Sequence, residues 1–334
     1  MPISITIYTV FSFLLLLLIT LASYKLDLVD LPNKRKKHSK PVANSGGLAL
    51  SVTFIFSIML FDIRIQDLNI ILSISFLIAI VGLIDDRYNL NTGGKLSLQI
   101  IPIVYLIVME NLNLNNIGDY YYFKTQLNSF SIPFTVLSVL LLINSFNYFD
   151  GLDGSLSFVS ISILIILYFQ ISDEYMKLYL LTIAIPICVF LLFNFSFLNL
   201  PKAFLGDSGS LLLGTIIAFT LIYFANQNIL HPILLAWSIS IFVYEFLSIN
   251  ILRIINRKNV FEPGFDHLHN ILHRKTNSIL LTNFLLIIIN ILFFFIGYLS
   301  FYLLNPLSSL IFFIIVFVNF FILRKISYVG SKKN

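Results

Sequence analysis

A single cysteine, Cys188, is the only thiol in the 334-residue chain. That excludes an intramolecular disulfide and any cysteine-built metal site. Within its apolar run Cys188 reads as a small hydrophobe. Charge is also scarce. Asp, Glu, Lys and Arg make up 11% of the residues, against about 25% in a soluble domain. A disordered chain and an ordinary soluble globule are both excluded. No repeat of fixed period and no low-complexity linker divides the sequence. What is abundant is apolar: hydrophobic types reach 58%, with 34 Phe, and the mean hydropathy is +0.93. Length alone suggests two soluble domains of about 150 residues each. The apolar runs instead point to one membrane-embedded domain over 1–334, an all-α polytopic integral membrane protein.

Eleven apolar segments approach the roughly 20 residues a span needs. They lie near 3–24, 46–62, 68–84, 96–110, 131–147, 155–171, 177–197, 208–225, 232–254, 279–300 and 306–323. The segments 46–62 and 96–110 are the shortest relative to that need. The first lacks a basic leader and a small-residue cleavage site, so it reads as an anchored helix. The net charge of +5 matters through its placement, and no nucleic-acid partner is expected. Of the 21 Lys and Arg, all but Arg64, Lys124 and Lys177 fall in one alternate set of connections. The positive-inside rule makes that set cytoplasmic, with the N-terminus outside and the C-terminus inside.

Ionisable groups at membrane depth default to functional hypotheses. A chain this apolar has few of them, and most sit at the cytoplasmic ends of spans. Asp85 and Asp86 end the third span; they could be a solvated helix end, but carboxylates oppose the dipole there unless a cation offsets them. Asn144, Asn147, Asp150 and Asp153 follow the fifth span in NSFNYFDGLDG. A turn is the plain alternative, although the spacing of Asn144, Asn147 and Asp150 puts them on one helical face. Asp207 opens the eighth span in GDSGS. It could simply cap that helix, yet a helix N-terminus also suits phosphate, and Gly206 and Gly209 allow close backbone approach. His267, His269 and His273 supply three of the five histidines and could otherwise be loop-surface residues. Glu245 lies within the ninth span, where it could pair with Arg253 or bond within the bundle. Dispersed carboxylates without thiols suit a hard cation such as Mg²⁺ shared with substrate phosphates. These residues read as a metal-assisted phosphate enzyme at the inner membrane surface, with one lipid and one water-soluble substrate.

The ordered motifs resemble the polyprenyl-phosphate N-acetylhexosamine-1-phosphate transferases (glycosyltransferase family 4, the WecA/TagO-like branch of the MraY superfamily). The first loop, LVDLPNKRKKHSKPVANSGG, resembles the family's segment through Asp30, Pro32, Arg35, Lys36, His38, Gly46 and Gly47. GLIDDRYNLNTGGK matches its double-aspartate motif with Lys95 downstream. NSFNYFDGLDG matches its N-x-x-N-x-x-DG-x-DG run, AFLGDSGS its F-x-GD-x-GS segment, and HLHN resembles its His-x-His-His motif. The resemblance implies transfer of a sugar-1-phosphate from a UDP-sugar to polyprenyl (undecaprenyl) phosphate with release of UMP. It implies Mg²⁺ or Mn²⁺ as cofactor, a multi-pass protein of the bacterial inner membrane, and a first step of O-antigen, capsule or teichoic acid synthesis; a homodimer is compatible with it. Carried over by position, Asp85, Asp86 and Lys95 are the catalytic set, with Asp85 the base or activator for the lipid phosphate. Asp207 and Asp86 lie at the metal. Asn144, Asn147, Asp150, Asp153, His267 and His269 bind substrate, and the basic residues of 34–40 attract the anionic headgroup. Asn270 replaces the third histidine, and Phe265 stands where the family has arginine, so the sugar is left open. The longer histidine run of the MraY branch is absent.

Rival classes fit less well. A transporter keeps its ionisable groups near the midplane, whereas only Glu245 lies deep here. An aromatic prenyltransferase has no use for the DGLDG and GDSGS glycines. An inactive scaffold of the same fold would not need the intact aspartate set.

Overall fold

The computed structural model describes residues 2–32, 39–260, 264 and 266–330. The basic residues 34–38 and Phe265, singled out above, lie outside them. Among the described residues the chain forms thirteen α-helices. The first seven are α1 (Pro2–Lys25), α2 (Gly46–Leu60), α3 (Gln66–Tyr88), α4 (Thr92–Val108), α5 (Ser131–Phe149), α6 (Ser155–Gln170) and α7 (Glu174–Asn194). Then come α8 (Gly206–Asn226), α9 (Pro232–Ser238), α10 (Ser240–Ile255), α11 (Leu268–Thr276), α12 (Ile279–Leu303) and α13 (Pro306–Gly330). Five short strands join them: β1 (Val29–Asp30), β2 (Val42–Asn44), β3 (Asn116–Asp119), β4 (Lys124–Gln126) and β5 (Ala203–Phe204).

Each of the eleven expected spans coincides with a helix or, in one case, with the α9–α10 pair. Length and composition support membrane crossing for seven: α1, α3, α5 with its preceding turn, α7, α8, α12 and α13. An eighth is added if α9 and α10, bent by 72° to each other, count as one broken span. Helices α2, α4 and α6 are apolar but shorter. The break falls at Ile239, whose φ of −111° and ψ of 11° leave the helical region. The Ser238 hydroxyl donates to the Leu235 carbonyl at 2.7 Å, a back-bond of the kind that bends helices.

The chain falls into two compact units, each discontinuous in sequence. The first takes Met1–Glu110 and Ser172–Thr220. In it α2 packs on α1, α3 and α7. Small polar residues join these apolar helices, since hydrophobicity alone gives no preference for helix over lipid. Tyr8 donates to the Thr182 carbonyl at 2.7 Å, and the Thr20 and Ser45 hydroxyls bond at 2.8 Å. A three-stranded sheet, β1–β2–β5, pairs β1 antiparallel and β5 parallel to β2. That pairing fixes the chain that turns at Gly206 into α8.

The second unit takes Asn111–Ile171 and Leu221–Asn334. Its core gathers Tyr120, Ile166, Ile233, Trp237 and Phe294. The fully buried Trp237 donates to the Ser309 hydroxyl at 3.0 Å, which satisfies its only polar atom. α12 packs against α6, α9 and α13, and α10 against α5. β3 and β4 form an antiparallel hairpin.

Candidate active site

The carboxylates of the first unit gather around one lysine. Asp85 lies in the last turn of α3, and its Oδ1 accepts the Leu90 amide at 2.9 Å, closing the turn beyond the left-handed cap at Asn89. Its Oδ2 meets Lys95 Nζ at 2.7 Å. The same ammonium reaches Asp207 Oδ2 at 2.5 Å. Lys95 itself sits in the first turn of α4, held there by Asn91, whose side chain accepts the Gly94 amide at 2.7 Å. A cation at a helix N-terminus is unfavourable alone, and the two aspartates offset it. Asp86 points the other way: its carboxylate accepts the amides of Asp207 at 3.0 Å and Ser208 at 3.3 Å. It therefore caps the N-terminus of α8 from a different helix.

Gly206 makes that approach workable. Its φ is +71°, and a Cβ there would lie 2.6 Å from Asp86 Oδ2. Gly209 serves packing instead, since a Cβ on it would press on the Leu205 side chain and lie 3.1 Å from the Gly47 Cα of α2. Two carboxylates thus share one ammonium with a third beside them, and Asp207 keeps about a third of its side chain exposed. Among the described residues no three His, Cys, Asp or Glu side chains converge as a ready-made metal cage. Mg²⁺ commonly takes one or two carboxylates and completes its octahedron with water and substrate phosphate. Asp207 and Asp86 are adjacent hard oxygen donors of this kind, so the residues present fit such an ion.

The second unit holds the histidine motif beside DGLDG. His267 caps α11 at its N-terminus without donating or accepting a side-chain cap bond. Its ring lies parallel to that of His269, 5.6 Å between centroids and 4° between planes. Tyr148 of α5 meets the His267 ring edge-on at 4.9 Å. A Cβ at Gly151 would sit 2.4 Å from His269 Nε2, so the first glycine of DGLDG lies directly against that imidazole. Asn144 donates to the Leu140 carbonyl at 2.7 Å within α5, and Asp150 caps that helix at its C-terminus. The Asp153 carbonyl accepts from Asn283 of α12 at 2.8 Å. Asn270 is buried in the first turn of α11.

Two arginine–carboxylate pairs surround this lobe. Arg253 binds Asp266 through two nitrogens, at 2.8 and 3.3 Å. Glu245 and Arg324 are 1% and 3% exposed and pair at 2.8 and 2.9 Å. Burial alone would raise the Asp266 carboxyl, but the Arg253 hydrogen bonds and charge outweigh it and hold it below the usual carboxylate range. Burial pushes His267 down to about 4; Asp266 opposes the shift, and Arg253 and Arg324 add to it. His267 is therefore neutral near pH 7.

Asp85, Asp86 and Asp207, read from their place at span ends, and Lys95, taken from the family resemblance, are brought together by the structure. It also brings His267 and His269 together against DGLDG. Glu245 pairs with Arg324 rather than with Arg253, which turns instead to Asp266. The capping role of Asp86, the part of Tyr148, Arg324 and the pairing of Arg253 with Asp266 escaped sequence reading. Only the rarity of Arg and Glu in so apolar a chain hinted at them.

An aspartate–lysine cluster at helix ends in a chain rich in apolar helices is the feature the comparisons with known proteins bear on. Residues 68–225, which carry the aspartate motifs, match the family model of Glycosyl transferase family 4. An undecaprenyl-phosphate α-N-acetylglucosaminyl 1-phosphate transferase of Yersinia pestis is 27% identical over 79% of this chain and 74% of its own length. The Escherichia coli K12 protein of the same name is 27% identical over 75% and 70%. A probable undecaprenyl-phosphate N-acetylglucosaminyl 1-phosphate transferase of Bacillus subtilis is 27% identical over 74% and 70%. These comparisons support the resemblance seen in the motifs: the chain is similar to glycosyl transferase family 4 over residues 68–225.

Proposed function

We propose that the chain transfers an N-acetylhexosamine-1-phosphate from a UDP-sugar to polyprenyl phosphate and releases UMP, as the first membrane step of a bacterial surface glycan. The observation that carries this reading is the Lys95 ammonium bridging Asp85 and Asp207, with Asp86 on the N-terminus of the same helix as Asp207. A lipid phosphate oxygen attacks the sugar-bearing phosphorus, a new P–O–P linkage forms, and the bond to UMP breaks. Such transfer needs positioning and charge neutralisation more than covalent work by the protein. Asp85 orients the lipid phosphate and takes its proton when it carries one. Lys95 exchanges one of its aspartates for that phosphate. Asp207 and Asp86 would hold the divalent ion, Mg²⁺ or Mn²⁺, which when bound neutralises charge on the donor diphosphate.

In the second unit, His267 and His269 are assigned to the donor diphosphate or sugar. Asn144, Asn147, Asp150 and Asp153 are assigned to the nucleotide and its surroundings. The distribution of Lys and Arg supports a cytoplasmic site, with the N-terminus outside and the C-terminus inside. The lipid tail stays in the bilayer, which accounts for motifs at helix ends rather than at mid-span.

The test uses membranes containing the protein, polyprenyl phosphate, Mg²⁺ and a panel of UDP-N-acetylated sugars, with UMP release as the readout. Turnover of one donor supports the reading and names the sugar. No turnover across the panel would favour an inactive scaffold. A reporter fused to the C-terminus should read cytoplasmic, and an external signal would overturn the orientation.

A further inference from the structure

His267 is bracketed. The carbonyl of the residue before it, Asp266, accepts from Arg324 Nη2. The amide of the residue after it, Leu268, donates to Glu245 Oε1 at 2.7 Å. The Asp266 side chain is gripped by Arg253, which also donates to the Val260 carbonyl at 2.8 Å. The Arg253 guanidinium lies 5.9 Å from the Tyr148 ring centre, and Tyr148 meets the His267 ring edge-on. Side chains from α5, α10 and α13 therefore fix the backbone on both sides of one imidazole and the plane of its ring. His267 is 8% exposed, yet its Nδ1 has no hydrogen-bond partner among the described residues. A buried polar atom left without a partner calls for an explanation.

Stability does not supply one. A buried ion pair such as Glu245–Arg324 loses in desolvation much of what it gains in attraction, and an apolar pair of similar volume often serves as well. An apolar pair could not, however, accept the Leu268 amide or donate to the Asp266 carbonyl. We infer that Arg253 and Arg324, with Glu245, are positioning residues that preset His267 for the anionic part of a nucleotide-sugar donor. This rests on the reading of the chain as a sugar-1-phosphate transferase. The presetting spares the donor the cost of ordering the loop. It also makes the last helix, α13, a determinant of donor affinity although Arg324 touches no substrate.

The decisive variant is the double replacement Glu245→Met/Arg324→Met in the full-length protein, with Arg324→Lys beside it in case the double variant fails to fold. The double variant should stay folded with a thermal midpoint lowered by a few degrees, since the Leu268 amide and the Asp266 carbonyl lose their partners. Its KM for the UDP-sugar should rise by about 10-fold, the order expected when a side chain must be ordered on binding, while the KM for polyprenyl phosphate stays unchanged. Arg324→Lys, which cannot form the two-pronged pair, should fall between the two. A second arm needs no turnover: amide exchange at Leu268, read by mass spectrometry of the loop peptide, should quicken about 10-fold or more once its charged acceptor is gone. Wild-type donor KM and unchanged exchange in the variants would overturn the clamp. If wild-type protein turns over no UDP-sugar while exchange still responds, the clamp stands and the donor assignment falls.

Discussion

Lys95 in the first unit and Arg324 in the second are both cations set on buried or half-buried carboxylates, and the two units use them differently. Lys95 bridges Asp85 and Asp207, and with Asp86 beside them the carboxylates outnumber the ammonium. Arg324 and Arg253 each own one carboxylate and grip it with two nitrogens. A lysine is a compact point charge that can leave one partner for another, whereas an arginine fork holds a planar carboxylate in one geometry. The first arrangement is suited to exchange, with charge left over for a divalent ion and a phosphate. The second is balanced and rigid, and suited to holding a loop still. On the proposed reaction, the same elements, cations and carboxylates at helix ends, separate into a reactive cluster and a mechanical one.

The largest effect should come from Asp207→Asn, which keeps the shape of the side chain and removes the charge that Lys95 holds and that the proposed ion would share. UMP release should fall by about 10³-fold or more, with the protein still extractable as a folded species. Asp85→Asn should do the same. Near-normal turnover in either would erase the distinction between the two units. Next comes Lys95→Arg. If exchange is the point, the larger, forked cation should cost about 100-fold in kcat/KM despite its unchanged charge. Full activity would mean that charge alone suffices there.

Much of this was legible before any coordinates, and the limits have physical reasons. The spans could be read because polar residues are so few that each interruption is visible. Asp85 could be read as a carboxylate at a span end and Lys95 through the family resemblance, but their direct pairing appears only in the structure. The break at Ile239 could not, since Ser-Ile-Ser carries no proline or glycine and stays apolar enough to pass as helix. The capping of α8 by Asp86 joins residues 121 apart, and the Glu245–Arg324 pair joins residues 79 apart. Sequence suggested Arg253 for Glu245 because both lie on α10. Only the packing of α13 brings the better partner within reach.

A smaller effect tests the rigid lobe through pH. His267 has an ordinary value of 6.5 and a folded value of about 4. Above pH 6.5 the imidazole is neutral in both states and stability does not depend on it. Between 6.5 and 4 the unfolded chain binds a proton that the folded chain refuses, so stability falls as pH falls through that window. Down to pH 5 the loss is about 2 kcal/mol. His267→Gln removes this titration, so the drop in thermal midpoint from pH 7 to pH 5 should be smaller in the variant. An equal drop in both proteins would show that the buried imidazole is not held neutral.

The smallest expected effect separates the ring of Tyr148 from its hydroxyl. The hydroxyl donates to the Val260 carbonyl at 3.2 Å and reaches Asn250 Oδ1 only at 3.4 Å. Both are long, and a neutral bond of this kind contributes about 1 kcal/mol or less. The ring meets His267 edge-on and lies under the Arg253 guanidinium, so it sets the imidazole plane whether or not the oxygen is present. Tyr148→Phe should therefore lower the thermal midpoint slightly and leave the donor KM where it was. Tyr148→Leu, which keeps apolar volume but has no ring face or edge, should raise the donor KM with little change in kcat. If the phenylalanine variant loses donor affinity as the leucine variant does, the hydroxyl holds the loop and the rigid lobe depends on hydrogen bonds more than on ring packing.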